Sequence, residues 1–355
     1  MPRTIRYICS TVSPTTMSRC THIQWVELDG IDTSWSLIEP HRWDRLCREF
    51  PLPDEQYPLL TFFIGKQTKT EALRAMFREN NVSRRAQHGL ANLYTDHLTI
   101  EDKHPVLVAD CTPTARCTNQ IGRWNLCHQS VERSLCTEGG VLLRRATSLV
   151  TGNLFRPFCH VVVLFTADLG GAEASVSIVQ ALFTSSMDQA TDAAQQGPEL
   201  LAVIDADEEP DSLLALSSTE SFKRTFSNIT VLRQARPAAT GYLAVRSHIA
   251  ILLEASCERR KRERMLFSAR HLRCLFKHAV EDFCKSPHRP VDLLTSYRHP
   301  AASIELPSLN RAVQRLVEAS LSADTACEVL AASCTVLAYP VNHHSECPHH
   351  VTGKC

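Results

Sequence analysis

Short, unbroken apolar runs separated by longer amphipathic stretches set the layout of residues 57 to 235. Tyr57-Pro58-Leu59-Leu60-Thr61-Phe62-Phe63-Ile64 is the first run. Leu90-Ala91-Asn92-Leu93-Tyr94-Thr95, Val106-Leu107-Val108-Ala109-Asp110 and Cys159-His160-Val161-Val162-Val163-Leu164-Phe165 follow, then Leu200-Leu201-Ala202-Val203-Ile204-Asp205 and Ile229-Thr230-Val231-Leu232. Their length and their β-branched and aromatic content predict buried strands. Between the first two, Glu71-Ala72-Leu73-Arg74-Ala75-Met76-Phe77 places Leu73, Met76 and Phe77 on one face of a helix. A further helix is expected near residues 174 to 187. Continuous apolar strands alternating with helices predict a mainly parallel α/β sheet. Several strands run into an acid, Asp110, Asp168 or Asp205, at the edge where such sheets bind ligands.

Beyond Arg236-Pro237-Ala238-Ala239-Thr240-Gly241, which reads as a linker, the apolar spacing becomes helical. Leu272, Leu275, Phe276, Ala279, Val280 and Phe283 share one face, as do Leu309, Val313, Leu316, Val317 and Leu321. Pro287, Pro290, Pro300 and Pro307 break these helices apart. The pattern therefore divides the chain into an N-terminal extension (1–56), an α/β domain (57–235), a helical domain (241–338) and an irregular tail (339–355). Trp25, Trp35 and Trp43 mark the extension as one that packs on something.

Composition narrows the function classes. With 355 residues, 44% hydrophobic and 21% charged, the chain has material for two cored domains. Lys+Arg and Asp+Glu both number 38, so no net field points to nucleic acid or an acidic membrane. The longest clean apolar run, Val161 to Phe165, is far too short to span a bilayer, and the N-terminus lacks a signal-peptide core. The 15 cysteines form no C-x-x-C and read as reduced thiols. A cytoplasmic protein is expected.

The candidate chemistry lies after the first strand, at Gly65-Lys66-Gln67-Thr68-Lys69-Thr70. A strand turning through Gly and Lys-Thr into a helix is the layout of a phosphate-binding loop. In such a loop backbone N–H groups hold the anion, Lys neutralises it and Thr holds Mg²⁺. Measured against G-x-x-x-x-G-K-[ST], Thr68 replaces the second Gly and Gly65 lies two residues too close.

The order of strand, Gly-Lys loop, helix, strand, strand-Asp, strand, helix, strand is similar to that of a GTPase-like domain. Five stretches also resemble the region upstream of the catalytic domain in large fungal patatin-like phospholipase proteins. They are Phe63-Ile64-Gly65-Lys66-Gln67 with Ala72-Leu73-Arg74; His104-Pro105-Val106-Leu107-Val108-Ala109-Asp110; Phe165-Thr166-Ala167-Asp168-Leu169-Gly170-Gly171; Leu266-Phe267-Ser268-Ala269-Arg270-His271; and Ala338-Tyr339-Pro340. The resemblance covers roughly residues 55 to 340. It implies a degenerate P-loop, GTPase-like α/β fold with a C-terminal helical domain. The patatin catalytic part is absent, because none of the 12 glycines forms a Gly-x-Ser-x-Gly elbow. A nucleotide with Mg²⁺ would be held by Gly65, Lys66, Lys69 and Thr70, with Asp110 as the second-sphere acid. Two further GTPase motifs are degraded. The D-x-x-G position reads Asp110-Cys111-Thr112-Pro113, where Pro has no N–H to give, and the N-K-x-D position reads Asp205-Ala206-Asp207-Glu208.

The expected function is a non-catalytic regulatory or scaffolding module of the patatin-associated kind, with a protein partner and neither cofactor nor metal. On that reading Lys66 and Lys69 are solvated. Two alternatives stay open: a weak Mg²⁺-dependent nucleotide-binding protein or NTPase, and a zinc-binding interaction protein acting through His343, His344, Cys347, His349, His350 and Cys355. Arg259-Arg260-Lys261-Arg262-Glu263-Arg264 is expected to be a solvated helix face. Cys159 and His160, adjacent on a strand, point to opposite faces and cannot pair as nucleophile and base.

Overall fold

The computed structural model describes residues 6–7, 23–31, 33–80, 90–112, 130–137, 140–181, 197–234 and 239–293. The compact unit to which they belong is Met1–Leu293. The expected helix at Leu309–Leu321 and the His/Cys tail lie outside the described residues.

The six predicted apolar runs are strands: β4 (Leu59–Ile64), β5 (Ala91–Thr95), β6 (Val106–Cys111), β8 (Val161–Phe165), β9 (Glu199–Asp205) and β10 (Asn228–Gln234). Four more complete the sheet: β1 (Arg6–Tyr7), β2 (Gln24–Ile31), β3 (Ser34–Glu39) and β7 (Val131–Ser134). The order is β1-β7-β3-β2-β5-β6-β4-β8-β9-β10. The block β6-β4-β8-β9-β10 is parallel, while β5 runs antiparallel to β6 and the strands beyond it are antiparallel as well. The result is a mixed α/β sheet with a parallel centre. Every residue of β4 is buried, because both faces of a parallel centre are covered.

Residues 23–56 are not an extension. β2 joins β5 at the sheet's middle, and α1 (Arg42–Glu49) packs across β2 and β5. Trp25 stacks on Phe155 with ring centroids 4.4 Å apart, and Trp43 meets Trp25 edge-on at 6.4 Å. These rings bury large apolar area and cement the antiparallel wing to the core.

Helices cover both faces. α2 (Gln67–Met76) and α7 (Ala239–Arg262) lie on one, where Leu73, Met76, Tyr242, Val245, Ile249 and Leu253 pack with Phe63, Val108 and Val163. The opposite face holds α1, α8 (Ala269–Lys285) and the helix α3 (Leu143–Leu149), which continues in π geometry to Phe155. Leu272, Leu275, Phe276, Ala279, Val280 and Phe283 are all buried there. The expected boundary at residue 241 is therefore not a break between compact units: α7 starts inside the supposed linker, at Ala239, and both α7 and α8 pack on the sheet. The remaining short helices are α4 (Ala172–Val179), α5 (Asp211–Leu216) and α6 (Glu220–Thr225).

Candidate functional site

β4 lies between β6 and β8, so its carboxyl end delivers Gly65 to the middle of the sheet edge. α2 begins two residues later. The first N–H groups of a helix have no intrahelical acceptor, and the helix dipole favours an anion beside them. Here that anion is the chain's own. The Asp168 carboxylate accepts hydrogen bonds from Lys66 N at 2.6 Å, Thr68 N at 2.9 Å and Lys69 N at 2.9 Å. A Cβ on Gly65 would stand 2.7 Å from Asp168 Oδ2 and 2.9 Å from Lys69 Cβ. Only glycine lets the carboxylate come this close.

Asp168 is itself set by the adjacent strand. It lies in a single 3₁₀ turn, Thr166–Leu169, directly after β8. Gly170 and Gly171, both with positive φ (96° and 99°), then turn the chain into α4. The next acid repeats the arrangement. Glu208, from the turn after β9, accepts from Ala172 N at the start of α4 and from Thr166 Oγ1 at 2.6 Å. Along the sheet edge, each of these two helix starts is thus held by a carboxylate from the neighbouring strand's loop.

Lys69 turns away from this edge. It is fully buried, and its ammonium pairs with Asp110 Oδ1 at 2.5 Å and donates to Cys111 O at 2.8 Å and Thr112 Oγ1 at 2.9 Å. Burial pushes the Asp110 carboxyl upward, and the Lys69 charge pulls against that shift. The Cys111 thiol beside them is pushed up to about 12 by burial, so it is no nucleophile at neutral pH. Thr70 Oγ1 donates back to Lys66 O at 2.7 Å, the ordinary tie of a hydroxyl within a helix.

The five predicted residues thus divide. Gly65 and the Lys66 and Lys69 backbones meet at the Asp168 carboxylate. The Lys69 side chain meets Asp110 instead, so the expectation that Lys69 is solvated is wrong: an ammonium under the sheet edge needs a buried carboxylate, and Asp110 supplies it. The Lys66 side chain is exposed, at the rim of an open groove of about 430 Å³ that is also lined by Gln67, Thr70, Glu71, Arg74 and Thr112. The residue that sequence reasoning missed is Asp168. It was legible as an acid ending a buried strand, but no spacing relates it to Gly65, about a hundred residues earlier in the chain.

Other expected features separate similarly. In the basic run, Arg259 and Arg260 are turned inward rather than solvated, with Arg260 only 8% exposed. Cys159 and His160 are both buried, and the Cys159 thiol is pushed up to about 12. Among the described residues no group of His, Cys, Asp and Glu is placed to hold a metal ion, and no helix is long and apolar enough to cross a membrane. No protein-family model matches the chain, and no curated protein is significantly similar to it.

Proposed function

We propose that this chain is a non-catalytic, GTPase-like scaffold whose phosphate-loop position is filled by its own Asp168. The observation that carries the reading is the Asp168 carboxylate bound to the N–H groups of Lys66, Thr68 and Lys69, where the resemblance would put a phosphate. The positions of the other groups support it. The lysine that would neutralise phosphate is spent on Asp110 and the hydroxyl that would hold Mg²⁺ is spent on Lys66 O. β4 stands between β6 and β8, where the resemblance places it. On this reading the module acts by binding a protein, and its resemblance to the region upstream of patatin catalytic domains points to such a lipid-ester hydrolase as the partner class.

Calorimetric titration of the purified chain with GTP and ATP, with and without Mg²⁺, tests the reading. A nucleotide that an intact loop holds near micromolar should bind here at about millimolar or not at all. Two or three missing charge-assisted hydrogen bonds, at about 1.5–3 kcal/mol each, remove about two to six decades of affinity. Micromolar, Mg²⁺-dependent binding lost in Lys69→Ala would overturn the scaffold and make the chain a working nucleotide-binding protein.

A further inference from the structure

The opposite, amino edge of the parallel strands holds two buried donors without acceptors. His160, just before β8, is 3% exposed. Its Nδ1 accepts the Leu60 N–H at 3.1 Å, so in the neutral ring the proton sits on Nε2. Nε2 is buried and has no hydrogen-bond partner. Arg259 and Arg260 reach the same edge from the last turns of α7. Arg259 pairs with Glu199 through a terminal nitrogen, and its Nε is a second buried donor without an acceptor. Arg260 donates to the carbonyls of Pro157 and of Cys159, the residue before His160.

The charges here do not balance. Among the described residues, Glu199 is the carboxylate bonded in this cluster, and Arg259 takes it. Arg260 feels Glu263 through space, but its bonded partners are neutral carbonyls. Burial holds the neighbouring thiols of Cys159 and Cys257 in their protonated, uncharged form. His160 is pushed well below its ordinary range, first by burial and then by the charges of Arg260, Arg259 and His104, so it stays neutral and keeps a single donor. A buried guanidinium without a bonded counter-ion is electrostatically costly. Two guanidiniums also repel any cation. With two unpartnered buried donors, the edge suits a monatomic anion and not a tetrahedral oxyanion with four oxygens to satisfy.

We propose that this edge is a binding site for a single halide ion, held by the Nε2–H of His160 and the guanidinium groups of Arg259 and Arg260. It is independent of the Asp168 loop at the other end of the strands. Crystals of the whole chain soaked in bromide test it directly. An anomalous bromide peak within hydrogen-bonding distance of His160 Nε2 is expected. Bromide found only at other positions overturns the proposal, as does a tetrahedral anion at this one. In solution, replacing gluconate by chloride at constant ionic strength should raise the melting temperature by about 2 °C or more, and sulfate should not. Arg260→Lys keeps the charge but loses the planar fork, and it should at least halve that increment. No increment in the unaltered protein, or an equal one with sulfate, refutes the site.

Discussion

Asp168→Ala is the most informative single change, because it removes one carboxylate and with it three hydrogen bonds. Counted at the charge-assisted scale, the bonds from Lys66, Thr68 and Lys69 N–H would sum to roughly 4.5–9 kcal/mol. That sum is an upper bound. Asp168 is half-buried and Lys66 N lies at an exposed position, so water takes over part of what is lost. Helix N-caps, where the same exchange occurs, are worth about 0.5–2 kcal/mol, and an acid at a helix N-terminus adds about 0.3–1 kcal/mol. A loss of about 2 kcal/mol is therefore expected, measured as a lower urea midpoint with unchanged slope. Asp168→Asn should lose somewhat less, since its amide oxygen still accepts. The variant's free N–H groups should also respond to inorganic phosphate, which recovers stability in Asp168→Ala and not in the unaltered protein. A midpoint within about 0.5 kcal/mol of the parent, the level of an ordinary surface substitution, would show that the carboxylate does not hold the loop.

Lys69→Ala should cost about 3–5 kcal/mol by chemical denaturation, because it strands the buried Asp110 carboxyl; an effect below about 1 kcal/mol would mean that the pair is solvated. Phe276→Ala should cost a similar 3–5 kcal/mol, since the ring is fully buried against Trp25, Trp43 and Phe158, and a neutral result would refute the packing of α8 on the sheet. His160 makes the protein acid-sensitive. Its folded pKa lies well below the unfolded value near 6.5, so the unfolded state binds the proton first and stability falls as the pH drops below about 6.5. This one group contributes a slope of up to about 1.4 kcal/mol per pH unit, down to its folded pKa, and His160→Gln should flatten the stability–pH curve by that amount; identical curves would place the ring in solvent.

How much of this was legible beforehand depends on which forces act locally. The strands β4, β6, β8 and β9 could be read because a parallel centre is buried on both faces and so appears as an unbroken apolar run. β2 and β3 escaped notice because they belong to the antiparallel wing, where Glu27 and Asp29 alternate with Val26 and Leu28 and the signal per residue is weaker. α8 was legible from its own spacing, which needs no partner to be recognised.

Residue chemistry was less so. The sequence by itself determined that a Gly-Lys turn joins a buried strand to a helix, that Asp110 ends another strand, and that the nucleotide motifs are incomplete. Only the tertiary structure decided which anion meets the helix start. Strand order brings β8 beside β4, and with it Asp168 to Lys66, Thr68 and Lys69. The direction of the Lys69 side chain was settled the same way, by the pairing of β6 with β4 that sets Asp110 next to Phe63. Arg259 and Arg260 read as surface charge in a run, since a run carries no record of what it faces. Packing of α7 across the sheet turns these two to the amino edge, where Glu199, His160 and the carbonyls of Pro157 and Cys159 await them. Hydrogen bonds and ion pairs reach only a few ångströms, so their partners are chosen by the fold and not by neighbours along the chain.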